Sequence, residues 1–263
     1  MSPSRFAILF VFVLAAASAI AQQSSPPTAQ GPQRDPQAVA LLQQAIAAMA
    51  PTAPTDSSAT GTVTVVEGST TQTGTIQILT LGATQTSETL TLSDGSRATI
   101  YSNGDALETI GTQMSNPPLE LIVTDQCADF PLPLLQGFLT TTDETIKYVG
   151  AETVNGQSVQ HVQVWKTFSA KPKLQKLAPF STRDIWLSTS SGLPVKISYK
   201  RRAGGGSVPS ILVEISYSNY TTVNGVQYPF QISKSLNGTP WTTIFISNVS
   251  FNSGLTASQF QVE

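Results

Sequence analysis

The chain carries one histidine, His161, and one cysteine, Cys127, so nucleophilic, acid–base or metal chemistry has few residues to draw on. His161 lies in Val159-Gln160-His161-Val162-Gln163-Val164-Trp165. Strand alternation there puts Val162 and Val164 on one face and His161 on the other, with Val159, Gln163 and Trp165. Acid–base work would need a nucleophile and an orienting carboxylate within hydrogen-bond reach, and the spacing supplies neither. No G-x-S-x-G elbow occurs, so His161 reads as a partly exposed strand residue. Cys127 lies near Ile122, Val123 and Phe130 and has no second cysteine to pair with, which leaves a buried inert thiol or an intermolecular bond. Zinc ligands cannot be assembled, the acidic residues form no calcium-loop spacing, and no cofactor motif is present. No catalytic residue emerges.

Two basic stretches remain. In 166–183, Lys166, Lys171, Lys173, Lys176 and Arg183 interleave with Phe168, Leu174, Leu177 and Phe180 between two strands. Such a connector is either a lid or membrane-contact loop (Phe168, Lys171, Lys173, Leu174, Lys176, Leu177, Phe180) or a solvated linker kept soluble by its lysines. Lys196, Lys200, Arg201 and Arg202 lead into Ala203-Gly204-Gly205-Gly206-Ser207, but a strand-like segment rather than a helix follows, so the glycines read as a flexible hairpin loop and not a phosphate cradle. Asn219-Tyr220-Thr221, Asn237-Gly238-Thr239 and Asn248-Val249-Ser250 match the glycosylation sequon, as chance allows in a chain rich in Ser and Thr.

Charge settles which partners are excluded. Among 263 residues, 14 Lys and Arg against 16 Asp and Glu give 11% charged residues and a formal charge of −2. The average is about 25% charged, and nucleic-acid phosphate finds no basic face here. Oligomeric state is not written in the composition.

The amino terminus has the form of a secretory signal peptide over residues 1–21: Arg5, the apolar run Phe6 to Ala17, and the A-x-A site Ala19-Ile20-Ala21. A run of 12 residues makes only about 18 Å of helix against a hydrocarbon core of about 30 Å. Residues 22–34 are polar and Pro-rich and predict a disordered leader. A single domain over 35–263 follows, periplasmic or secreted.

The domain opens with a helix: Asp35 is the N-cap, Pro36 the first position, Pro51 the stop, and Val39, Leu41, Leu42, Ala45, Ile46 and Met49 share one face. After Pro54 the period changes to two, with Val63/Val65, Ile76/Ile78, Leu90/Leu92, Val195/Ile197/Tyr199 and Ile211/Val213/Ile215/Tyr217 as dry faces. Asn-Gly, Asp-Gly and Ser-Gly pairs at 94, 103, 155, 191, 224 and 237 mark hairpins. Pro117 to Ile122 and Pro131 to Leu139 abandon alternation and predict two short apolar helices.

The expected fold is mainly β with helices (α+β): an unclosed antiparallel β half-barrel of about ten strands, capped by an N-terminal helix and short central helices. A sheet this wide curls, and its concave side holds more volume than its own side chains fill unless helices plug it. The interface either retains an apolar cavity or packs to native density. The cavity candidates are Leu41, Leu42, Ile46 and Met49 of the first helix and Leu134, Leu135, Phe138 and Leu139 of the later one, residues a plain core would also use.

The C-terminal half carries a recognisable succession: Tyr148 to Val164, Asp184 to Tyr199, Ile215 to Phe230 and Thr243 to Val262. It resembles the strands of the LolA-like fold, the outer-membrane lipoprotein carrier family, and in particular its secreted relatives. The resemblance covers about half the chain. It implies an unclosed barrel whose apolar lumen shelters lipoprotein acyl chains, hence a non-enzymatic carrier with a lipid or lipoprotein acyl chain as partner; contact with a membrane surface is an expectation of the 166–183 loop alone. No cargo-handover residue of that family can be placed on this sequence. The competing expectations are an envelope interaction module with a filled core and, last, a hydrolase with His161 beside a Ser and a carboxylate.

Overall fold

The computed structural model describes residues 31–124, 128–202 and 210–262. Thirteen strands among them form one antiparallel sheet in the order β6-β5-β4-β3-β2-β1-β13-β12-β11-β10-β9-β8-β7. The first six are β1 (Asp56–Glu67), β2 (Thr70–Leu81), β3 (Gln85–Leu92), β4 (Gly95–Ser102), β5 (Asp105–Ile110) and β6 (Gln113–Ser115). After two helices come β7 (Glu144–Val154), β8 (Gln157–Lys166), β9 (Arg183–Ser188), β10 (Pro194–Arg202), β11 (Ser210–Val223), β12 (Val226–Leu236) and β13 (Thr239–Phe251). The terminal strands β6 and β7 do not pair, so the sheet stays open.

The count exceeds the ten expected. The pattern is faintest in 95–115, where β6 is exposed throughout and β5 buries only Ala106 fully. Lateral pairing holds those short strands, and pairing leaves little hydrophobic signature at an edge.

Hairpin chemistry follows the sequence closely. Asn103-Gly104, Asn155-Gly156, Asn224-Gly225 and Asn237-Gly238 all have positive φ at both positions, the geometry a two-residue turn needs to match strand twist. Curl comes from the middle of the sheet. A Cβ on Gly61 would stand 2.1 Å from the Phe245 carbonyl oxygen, beside a β1/β13 register shift, and one on Gly74 would stand 2.0 Å from that of Thr91. Only glycine lets neighbouring backbones approach so closely at a bend. The consequence is visible in Lys234 of β12, whose Nζ donates to Glu88 Oε2 of β3 at 2.8 Å. Four strand spacings of about 4.8 Å would hold these residues about 19 Å apart on a flat sheet.

Helices fill the concave face. α1 (Pro36–Met49) is capped by Asp35, whose Oδ1 accepts from the Gln37 and Ala38 amides, and it buries Ala38, Leu42, Ala45 and Met49. α2 (Leu119–Thr124) and α3 (Pro131–Thr140) fall on the two predicted apolar segments. α1 and α3 pack on each other and on β7, joining sheet residues such as Ile78, Val164, Ile197 and Tyr228 in one core.

One boundary moves. Gln33 and Arg34, assigned to the leader, are seated on β7: Arg34 bridges to Ile146, and its guanidinium donates to the carbonyls of Phe138 and Leu139 at 2.9 and 3.1 Å. A polar segment looks unstructured by composition, yet a helix C-terminus with orphan carbonyls gives such an arginine a place to dock. The proposed signal peptide, residues 22–30 of the leader, Cys127 and the triple glycine lie outside the described residues.

Candidate ligand-binding site

The space beneath α3 is shaped by what pins that helix. At its start, Asp129 is fully buried and bonded to Lys234, which also reaches Glu88. Tyr217 donates its hydroxyl proton to the Ala128 carbonyl at 2.6 Å, and Phe130 stacks on Tyr228 with ring centres 4.5 Å apart. At its end Arg34 takes up the free carbonyls. Held at both ends, α3 acts as a fixed beam over the concave face.

Between this beam, α2 and the ends of β3, β4, β7, β8 and β9 lies a cavity of about 340 Å³. Ile122, Val123, Pro133, Leu134 and Phe138 give it an apolar wall from the helices. The sheet contributes a polar wall including Tyr101, Glu144, Lys166 and Arg183, and Ser181 of the connector between β8 and β9 joins them. Glu144 and Lys166 are directly opposite in the β7/β8 register, on the same face as Ile146 and Val164. Glu144 is only 3% exposed, and its carboxyl makes no hydrogen bond with any described residue. Burial pushes its pKa up to about 7; Lys166, Arg183 and Arg34 oppose that rise and Asp143 adds to it. Arg183 is fixed by donation to the Val123 carbonyl at 3.1 Å and lies over the Tyr199 ring.

A second cavity of about 190 Å³ adjoins the first at Tyr101, which lines both. Glu88, Lys234, Glu108 and Arg201 stand around it, with Leu90, Ile215 and Trp241. Burial and the like charge of Asp129 push Glu88 up to about 8 against the pull of Lys234.

No protein-family profile matches the sequence, and no curated protein is similar to it. Solved structures are similar in architecture. A domain from Vibrio parahaemolyticus named for outer membrane lipoprotein sorting superposes with a TM-score of 0.60 at 14% identity, over 85% of this chain and 96% of that one. The fold is LolA-like. A LolA superfamily protein from Nitrosomonas europaea gives 0.55 at 13% identity, over 85% and 97% of the two chains. A DUF1329 family protein from Desulfovibrio piger gives 0.58 at 13%, over the same shares.

Within this LolA-like half-barrel the eight cavity candidates divide. Leu134 and Phe138 line the 340 Å³ cavity. Leu42, Met49 and Leu135 are wholly buried in the packed core, and Ile46 and Leu139 pack against it half-buried. Leu41 faces a separate polar groove between α1 and the ends of β7 to β9. The connector 166–183 contains a 3₁₀ helix (Pro172–Ser181). Its Phe168 and Leu177 bury against Val123 of α2, with Leu174 and Phe180 half-buried beside them, while Lys171, Lys173 and Lys176 face solvent. None of these seven residues lines either of the two cavities described above, and the loop packs behind the α2 wall.

His161 is not the partly exposed strand residue expected. It is 8% exposed on the outer face, with Nδ1 2.6 Å from Glu152 Oε1, Nε2 2.9 Å from Asp184 Oδ1, and its ring stacked on Trp186 at 4.4 Å. Burial lowers its pKa, but the hydrogen bonds and charges of Asp184 and Glu152 outweigh burial and raise it. Both ring nitrogens are taken by carboxylates, and no serine hydroxyl among the described residues bonds to it. No group of three His, Cys, Asp or Glu suited to a metal occurs among the described residues.

The sequence reading missed Glu144, Glu88, Lys234 and Tyr101. Period-two counting puts Glu144 on the face of Ile146 and Glu88 on that of Leu90, and a carboxylate in dry register was the available signal.

Proposed function

We propose that this protein is an exported, non-enzymatic carrier or binding protein that holds an apolar ligand, a lipid or an acyl chain, between the curved sheet and its helices. The observation that carries the reading is the unfilled volume of about 340 Å³ under α3, with a second of about 190 Å³ that shares Tyr101 in its wall. Close-packed cores leave few voids larger than a water, while small-molecule sites start at about 300 Å³. The similarity in fold to a LolA superfamily protein supports the reading, and the amino-terminal apolar run with its A-x-A site supports export. The engagement of His161 by two carboxylates on the face away from the lumen supports a non-enzymatic role.

Gly137→Leu tests it. Gly137 lines the cavity, and a Cβ there would meet only the Ala83 carbonyl at 3.7 Å, ordinary contact. Leucine fills the space and is a better helix former than glycine, by ~0.8–1 kcal/mol, so the fold should hold. Uptake of a fluorescent fatty-acid probe, at one per chain in the natural protein, should fall at least tenfold in the variant. Undiminished uptake would place the ligand elsewhere.

A second reading has one observation in its favour. Ile110 and Met114, 64% and 71% exposed, sit at the free β5–β6 edge. An exposed apolar edge suits a protein partner. An interaction module predicts no probe uptake and loss of partner capture on Ile110→Ser with Met114→Ser.

A further inference from the structure

Resting on the carrier reading, we infer that the 340 Å³ cavity takes a single-chain amphiphile with an anionic head, its tail against Leu134 and Phe138 and its head at Lys166, Arg183 and Glu144. The division of the wall argues for this. Every side chain that α3 offers the cavity is apolar, whereas the opposite side gathers two cations and one acid at adjacent strand ends. An aliphatic chain alone would leave the Glu144 carboxyl buried with no hydrogen bond, which is costly. A carboxylate head removes that problem. Lys166 and Arg183 supply charge, and the Glu144 carboxyl in its protonated form donates a hydrogen bond to the incoming anion.

The local charges favour an anion over a cation. Glu144 faces Lys166 on β8, Arg183 on β9, Arg34 on the segment beside β7, and Asp143 next in its own chain; Asp105 lies across the cavity on β5, and α3 presents no charge. Asp143 is itself occupied, accepting from the Thr167 and Ser169 hydroxyls and the Ser169 amide. With Glu144 protonated, the head site is cationic; with Glu144 ionised, it is closer to neutral and repels a second carboxylate. Binding of the anionic amphiphile therefore weakens as pH rises through the neutral range, where burial has moved this carboxyl.

The experiment compares dodecanoate, dodecanol, and acetate or inorganic phosphate as competitors of a bound fluorescent probe between about pH 6 and 8.5. Dodecanoate should bind roughly tenfold more tightly than dodecanol at pH 6, the scale of a charge-assisted contact, with the advantage largely gone at pH 8.5. Glu144→Gln should flatten the pH dependence, and Lys166→Met should weaken dodecanoate but not dodecanol. Equal, pH-independent binding of the acid and the alcohol overturns the head-group assignment and leaves the carrier reading intact. Failure of both to bind overturns both. Competition by acetate or phosphate alone, at the strength of dodecanoate, would assign the site to a free anion and overturn the amphiphile.

Discussion

Arg201 on β10 and Glu108 on β5 bring a guanidinium nitrogen and a carboxylate oxygen to 3.7 Å, although seven strands separate them in the sheet. On a flat sheet the two would lie about 38 Å apart. Their pairing is a strap across the open side, next to the smaller cavity that both line. Each side chain is about three-tenths exposed, so the pair adds little to stability, within about 1 kcal/mol. Its removal should instead ease passage. Glu108→Gln is expected to leave the unfolding midpoint nearly unchanged and to speed probe release several-fold in stopped-flow measurements. An unchanged release rate would show that the strap does not limit exit.

Lys234 carries more weight, because it is the cation between Glu88 and the buried Asp129. Lys234→Met leaves both carboxyls in an apolar setting with no compensating charge. Breaking a buried pair on one side typically costs about 3–5 kcal/mol. Urea unfolding should show a loss of that order, and hydrogen exchange at the start of α3 should accelerate. Adding Asp129→Asn should recover part of the loss, since the buried charge stranded at Asp129 is then gone, whereas Glu88 already holds its proton near neutral pH.

Stability should depend on pH in a definite direction. Glu144, Glu88 and His161 all have raised pKa values, so the folded chain holds protons the unfolded chain has lost. Stability therefore falls as pH rises, from the ordinary glutamate value of 4.5 toward about 7 and about 8, and for His161 from 6.5 upward. Asp56 and Asp184 are lowered, net of burial that raises them, by hydrogen bonds from Ser253 and from His161 and Gln163; their contribution is lost as pH falls below the ordinary 3.8. The melting temperature should be higher near pH 5 than near pH 8.5, with Glu144→Gln reducing the difference. A melting temperature that rises steadily over that range would contradict these assignments.

Much of this was legible in the sequence, and the reason lies in what local chemistry encodes. Asp35, Pro36 and the Asn-Gly pairs act over a few residues, so α1 and the hairpins could be placed from composition and spacing. Leu134 and Leu135 are adjacent and equally apolar, yet one lines the cavity and the other is sealed in the core. That division depends on how far the sheet curls, which Gly61, Gly74 and the cross-sheet charges decide together. His161 was misjudged for the same reason: Glu152 and Asp184 meet it only through the β7/β8/β9 register and the bulge at Gly150.

The connector 166–183 makes a further prediction. Phe168 and Leu177 hold the loop to Val123, and Val123 lines the cavity, so the loop governs the α2 wall from behind. Replacing Phe168, Leu174, Leu177 and Phe180 with Ser should weaken lipid uptake and raise exchange in 119–124, with the rest of the sheet protected. Replacing Lys171, Lys173 and Lys176 with Ser should leave uptake from detergent unchanged and lower binding to anionic vesicles, if the exposed lysines meet a membrane surface. Full uptake in the first variant, with an intact sheet, would exclude the loop from any part in binding.

Whether the hollow under α3 is filled in the cell can be read from mass alone. Native mass spectrometry of the protein purified from the exported fraction, followed by lipid extraction, should show a stoichiometric adduct of one apolar or single-chain acyl species per chain, absent in Gly137→Leu. A bare chain mass from that fraction, in protein that also fails to take up a fatty-acid probe, would contradict a carrier and leave the LolA-like scaffold without a ligand.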